Sequence, residues 1–134
     1  MPRQISFSMT TPQFVARTKD VTRRMGWENL KAGECLWAVE KAMGLKKGEK
    51  VKVLGMIRVK GATREPLCRM LSFDAWGVLE CQREGFPQMS PDQFVEFFCK
   101  GHKGCKPESI VTRIEFEYLD DDHVGCPPDE REGK

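Results

Sequence analysis

The stretch SIVTRIEFEYL, residues 109–119, alternates apolar and charged side chains almost without interruption, which makes it a strand with two unlike faces. Ile110, Thr112, Ile114, Phe116 and Tyr118 share one face; Val111, Arg113, Glu115 and Glu117 share the other. A strand needs neighbours, and the chain supplies them. KVLGMIRVKGATREPL (52–67) is the longest β-like run, and its Gly55 and Gly61 mark the bulges or bends that a small barrel needs. CLWAVE (35–40) reads as a buried strand. QISFSM (4–9) reads as half-buried, with Ile5, Phe7 and Met9 inward. DVTRRM (20–25) is short, β-branched and charged, a strand with one face in solvent. ENLKAGE (28–34) is a turn and MGLKKGEKV (43–51) a hairpin connection.

Helices are announced by their ends. TTPQFVART (10–18) opens with Thr10 or Thr11 as cap and Pro12 in the first turn. SFDAWGVLECQREGF (72–86) offers Ser72 as cap, Ala75, Trp76 and Leu79 as an apolar face, and Gly85 as a stop. MSPDQFVEFFCK (89–100) has Ser90 as cap, Pro91 at the first position and Phe94, Val95, Phe97 and Phe98 as its apolar side. Strands and helices do not alternate strictly, which disfavours a doubly wound sheet. The pattern predicts an α+β, mainly β fold: a small, mostly antiparallel β-barrel of about five to six strands with inserted helices. Residues 1–120 form one domain in this reading, and the acidic, proline-bearing segment 121–134 a flexible tail.

Charge narrows the partners. The chain has 134 residues, with 22 basic and 20 acidic side chains and a formal net charge of +2, so nothing marks it as a broad binder of duplex nucleic acid. Basic residues concentrate instead in RTKDVTRRMGW (17–27). Six cysteines could form a disulfide framework, but no secretory signal pattern opens the sequence and no apolar run approaches a membrane span. The expectation is a cytoplasmic protein with reduced thiols and no membrane association.

Three groups of residues could carry chemistry. Lys19 and Thr22 stand three apart at a helix–strand junction, and Glu84 closes a later helix. A buried lysine can lose its proton near neutral pH, activate a hydroxyl and be oriented by a carboxylate. On spacing alone an exposed surface strand is the favoured reading of Lys19 and Thr22. Arg17, Arg23, Arg24 and Trp27 form a second group, suited to gripping phosphate and stacking a base, or else to pairing with acids and covering a core edge. Cys99, His102 and Cys105, in CKGHKGC, have metal-like spacing, and three zinc ligands could come from them. A structural zinc site usually shows two separated ligand pairs, so the expectation is a loop with no metal and no cofactor.

The pieces SFSMTTPQFVARTKDVTRR, LKAGECLWAV, EGFPQMSPDQFVEFF and VTRIEFEYL together resemble the ASCH domain, a relative of the PUA domain, across residues 3 to 119. The resemblance is to the stand-alone bacterial and phage type and implies a compact PUA-like β-barrel. It also implies binding of RNA or a modified nucleoside in a cleft between barrel and helices. One branch of small amidohydrolases deacetylates N4-acetylcytidine through a lysine, a threonine and a glutamate. Those roles fall on Lys19 and Thr22, in the matching K-x-x-T-x-R motif, and on Glu84. Arg64 and Glu65 lie where the family carries charged cleft residues. Another branch is linked to ribonuclease activity. The chain differs from the short amidohydrolases in its length, in RRMGW after the threonine and in the cysteine-bearing segment before the last strand. The leading expectation is an RNA- or nucleoside-binding protein whose cleft is lined by Lys19, Thr22, Arg23, Arg24 and Glu84. An amidohydrolase or ribonuclease using the same cleft is the enzymatic alternative, and a protein-interaction module the third.

Overall fold

The computed structural model describes residues 3–41, 47–48 and 50–119. Most of the expected connection at 43–51 and the whole of the expected tail lie outside the described residues. In chain order the elements are β1 (Gln4–Ser6), α1 (Thr11–Val15), β2 (Val21–Arg24), β3 (Cys35–Val39), β4 (Val53–Pro66), α2 (Asp74–Glu84), α3 (Pro91–Lys100) and β5 (Ile110–Leu119). A short 3-10 helix, Leu67–Leu71, joins β4 to α2. Among the described residues no helix is long and apolar enough to cross a membrane.

The sheet runs β1-β3-β4-β5-β2. Its strands are not all antiparallel: β1 pairs with β3 in parallel, while β3–β4, β4–β5 and β5–β2 are antiparallel. A parallel pair needs a crossover, and here the chain between β1 and β3 is long enough to hold α1 and β2. The expected barrel is therefore a curled half-barrel, with β1 and β2 at the two ends of the order rather than paired. Curvature comes from two irregularities on β4. The register slips between Val59 and Gly61 opposite β5, and beside Gly55, between Ala38 and Val39 of β3.

Two apolar clusters hold the fold. Ile5, Phe7, Phe14, Leu36, Ile57 and Phe116 belong to the first, inside the curl of the sheet. Leu67, Met70, Cys81, Phe94, Phe98 and Val111 belong to the second, under the helices. Alternation on β5 sends Ile114 and Phe116 to the first cluster and Val111 to the second, as its period of two requires. Ser90 caps α3 in a reciprocal box with Gln93, the backbone N–H of Gln93 donating to Ser90 Oγ at 3.2 Å and that of Ser90 to Gln93 Oε1 at 2.9 Å.

Two sequence expectations fail on α2. Phe73, not Ser72, occupies the cap position, and no side chain caps there. The inward face is Gly77, Glu80, Cys81 and Glu84, while Ala75 is exposed, Leu79 is 50% exposed and Trp76 half-buried. The cause lies on the sheet. In the β2–β5 register Arg23 stands opposite Arg113, so two like charges face one another across the ladder. Glu80, fully buried, lies between them and accepts from Arg23 Nη2 at 2.5 Å and from Arg113 Nε and Nη2 at 2.8 and 3.0 Å. The helix turns its acids inward because unpaired buried arginines would cost more than the lost apolar contact.

Candidate functional site

The gap between the end strands of the half-barrel is where the site lies. Chain order puts the β1–α1 turn on one side of this seam and β2 on the other, and α2 and α3 close it from outside. A cavity of about 200 Å³ fills the space. Its lining combines the polar side chains of Ser6, Thr10, Lys19, Thr22, Arg24 and Glu84 with the aromatic rings of Phe7, Phe86, Phe94, Phe97, Phe98 and His102.

Each polar side chain is positioned by an identifiable contact. On β2 the register places Thr22 opposite Ile114 and Arg24 opposite Thr112, so both point into the curl. Arg24 reaches across the seam, donating through Nη2 to the Ser6 carbonyl of β1 and through Nε to Thr22 Oγ1 at 3.2 Å. Burial lowers its pKa to about 10, against the attraction of Glu84. Glu84 is held where Gly85 ends α2 at φ +96°, a left-handed turn that glycine tolerates. Gln13 Nε2 donates to the Gly85 carbonyl at 3.0 Å, and the Asp20 N–H donates to the Arg83 carbonyl at 2.9 Å. These bonds tie the end of α2 to α1 and to the start of β2, bringing Glu84 against Lys19.

Lys19 is 3% exposed. Its Nζ lies 3.4 Å from Thr10 Oγ1, 4.0 Å from Glu84 Oε1 and 5.2 Å from the centre of the Phe7 ring. Burial lowers its pKa from 10.5 to about 8; Glu84 opposes the change and the like charge of Arg24 adds to it. On the order of a tenth of the side chains are thus neutral amines at pH 7. Glu84 is itself held above the usual carboxylate range by burial, which outweighs Lys19 and Arg23. A proton is therefore poorly held on the lysine and readily held on the glutamate, a combination suited to proton transfer.

The expected site residues divide cleanly. Lys19, Thr22, Arg23, Arg24 and Glu84 all line the one cavity. An exposed surface strand does not describe β2, since Val21, Thr22 and Arg23 are buried. Arg23, however, is committed to three carboxylates: Glu84 at 2.9 Å, Glu80 at 2.5 Å and Glu65 at 3.4 Å. Burial would lower its pKa, but Glu84 and Glu80 prevail and raise it. Its Nε is buried with no hydrogen-bond partner among the described residues. Glu65 is buried beside it and also accepts from Arg69 at 2.8 Å. Arg17, Trp27 and Arg64 are not part of the cavity lining. Arg17 is exposed at φ 58°, its guanidinium 5.1 Å from the Tyr118 ring centre. Trp27 packs on the edge of the first core cluster under Arg3, and Arg64 bonds Thr112 Oγ1 and the Gly26 carbonyl.

Cys99, His102 and Cys105 do not gather round a point, and no metal-ligating cluster forms among the described residues. The Cys99 and Cys105 sulfurs lie 3.7 Å apart, and both, like Cys68 and Cys81, are free thiols. His102 turns away from them, stacked on Phe98 with ring centres 4.1 Å apart.

Thr10, Glu80 and the aromatic lining were not legible as site residues. Thr10 reads as a helix cap and does occupy that position, yet its hydroxyl makes no cap bond and faces Lys19 instead. Glu80 reads as surface, and only the two arginines one strand apart in register explain its burial. The phenylalanines read as core, and Phe94 and Phe98 are core as well as lining.

No family model matches the sequence, and no curated protein matches it. Among solved structures, the chain is similar to protein EF3133 from Enterococcus faecalis V583, whose crystal structure is described with the family DUF984, at 19% identity and a TM-score of 0.59, over 90% of this chain and 81% of that one. At that identity the likeness carries the fold alone: a small, mostly β half-barrel with a few helices.

Proposed function

We propose that the chain is an ASCH-type protein that binds RNA or a nucleoside-like ligand in the seam of its half-barrel. The observation that carries this reading is the convergence of Lys19, Thr22, Arg24 and Glu84 on one cavity that is also lined by Phe7, Phe86, Phe94, Phe97 and Phe98. Cationic donors suit a phosphate or carbonyl oxygen, and the phenylalanine rings suit a base. A cavity of about 200 Å³ favours one base or nucleoside over a length of duplex, as does a net charge of +2. The test is a titration of short single-stranded RNA and of free nucleosides with the wild type and with Arg24→Glu. Weaker binding and a shallower salt dependence in the variant are expected; equal binding defeats the reading. Arg23 is unsuited to charge reversal because three buried carboxylates depend on it.

The surroundings of Lys19 favour a second reading, an amidohydrolase acting on N4-acetylcytidine or a related nucleoside. The neutral amine of Lys19 would take a hydroxyl proton, and the oxygen would attack the acyl carbon. Glu84, with its raised pKa, would deliver a proton to the departing amine, and water would then release the acyl group as acid. Two hydroxyls compete for the nucleophile's place: Thr22, whose Oγ1 accepts from Arg24, and Thr10, whose Oγ1 lies 3.4 Å from Lys19 Nζ. Incubation with N4-acetylcytidine, following cytidine by chromatography, tests the reading with Lys19→Ala, Thr10→Ala and Thr22→Ala alongside. Release that survives Lys19→Ala rules it out, and the threonine whose loss stops release is the nucleophile.

A further inference from the structure

The aromatic lining contains one side chain that is not hydrocarbon. His102 lines the cavity beside Phe97 and Phe98, five to six residues beyond the middle of the apolar face of α3, where the helix has ended at Gly101. Its ring is stacked on Phe98, centres 4.1 Å apart and planes 18° from parallel, so its orientation is fixed by packing. Its Nδ1 lies 2.8 Å from the Phe98 carbonyl oxygen. A carbonyl can only accept, so Nδ1 carries the proton in the neutral ring. That leaves Nε2 as a bare lone pair, without a hydrogen-bond partner among the described residues. The other polar groups lining the cavity are the cations Lys19, Arg23 and Arg24, which only donate, the hydroxyls of Ser6, Ser8, Thr10 and Thr22, which donate or accept, and the carboxylate of Glu84. Glu84 already accepts from Arg23 and lies against Lys19, and the Thr10 and Thr22 hydroxyls already accept from Lys19 and Arg24.

We propose that His102 is a specificity-determining residue of this cavity, its Nε2 accepting a hydrogen bond from an N–H on a planar heterocycle that stacks along Phe97 and Phe98. The inference rests on the cavity's being a nucleoside site, and it names the chemistry selected there. The preferred ligand has an N–H edge for His102 and an oxygen-bearing edge, carbonyl or phosphate, for the cations. Nucleobases with an exocyclic amino group meet both demands; their N,N-dimethyl derivatives keep the ring and lose the donor. Lys19 and the arginines make no such distinction, since groups that only donate are blind to an N–H.

Calorimetric titration of the full chain with adenosine, cytidine, N6,N6-dimethyladenosine and N4,N4-dimethylcytidine tests it. The wild type should bind at least one amino nucleoside about five- to tenfold tighter than its dimethyl form, the worth of one hydrogen bond to a neutral acceptor. His102→Phe keeps a ring to stack on Phe98 and should erase the preference by weakening the amino form alone. His102→Gln, whose side-chain carbonyl can accept, should restore part of it, which a purely structural role for the ring would not do. If the wild type binds neither form of either nucleoside, the inference falls together with the nucleoside reading of the cavity. If the wild type binds them without preference, or His102→Phe discriminates as the wild type does, the nucleoside reading stands and the role of His102 is overturned. Should His102→Phe fail to fold, His102→Leu takes its place in the same titration, with the same outcomes.

Discussion

Lys19→Met asks whether the lysine is in place for the fold or for chemistry. The side chain is buried, and its ammonium has one hydroxyl at 3.4 Å and one carboxylate at 4.0 Å for compensation. A fall in pKa from 10.5 to about 8 means the folded protein holds that proton less tightly than the unfolded chain by about 3 kcal/mol. Methionine fills a similar volume beside Phe7 without a charge. Against this gain, Glu84 loses Lys19 and keeps Arg23 at 2.9 Å. Net stabilisation of about 1 to 2 kcal/mol at pH 7 is expected, alongside loss of ligand binding or turnover.

The pH dependence makes the test sharper. Between about pH 8 and 10.5 the unfolded chain keeps the lysine proton and the folded protein has lost it. At this group the unfolded state therefore binds more protons, and Lys19 contributes a rise in wild-type stability with pH across that window. Lys19→Met lacks this rise, so the difference between the two proteins should swing by about 3 kcal/mol and change sign towards pH 10.5. Tyr118, its pKa pushed up to about 12, and Cys81, at about 11, both by burial first, work the other way. They are present in both proteins and cancel in the difference. Urea denaturation of each protein at intervals from pH 7 to pH 10.5 measures it. Parallel stability curves, or a variant less stable than the wild type at pH 7, would refute the reasoning.

Arg23→Met should cost about 3 to 5 kcal/mol and leave little folded protein, because Glu84, Glu80 and Glu65 lose a shared cation while buried; urea midpoints at neutral pH check this. Gly85→Ala should destabilise by about 1 to 3 kcal/mol and weaken ligand binding. Its φ is +96°, and a Cβ there would stand 3.0 Å from Gln13 Cγ and 3.4 Å from Lys19 Cβ, so paired thermal melts and titrations should move together. Gly77→Ala forces a Cβ to 2.3 Å from the Met70 carbonyl and 2.7 Å from Pro91, parting α2 from the 3-10 turn and α3; thermal denaturation should show a loss of about 2 kcal/mol or more. Ser90→Ala removes the cap of α3 and should cost about 1 kcal/mol in the same assay without changing the cavity's chemistry.

Local pattern determined most of the elements in this chain. The alternation of β5, the glycine bulges of β4 and the Ser90–Pro91 start of α3 follow from period, glycine placement and capping, all of which act between neighbours in sequence. The K-x-x-T-x-R stretch and Glu84 were legible as site residues only through a resemblance spanning the chain; composition by itself left Lys19 and Thr22 as an exposed strand. The tertiary structure decided what depends on groups far apart in sequence. Arg23 and Arg113 are 90 positions apart and opposite one another in register, and that pairing drew Glu80 inward and turned the acidic face of α2, not its apolar one, to the sheet. It also made Arg23 a buried hub rather than a free phosphate ligand, and diverted Thr10 from capping to the lysine. The half-barrel left a seam between β1 and β2, and aromatic residues that read as plain core became part of its lining. Periodicity records which face a side chain takes. It carries no record of which distant charge will meet it there, and burial makes that meeting decisive because water can no longer stand in for the partner.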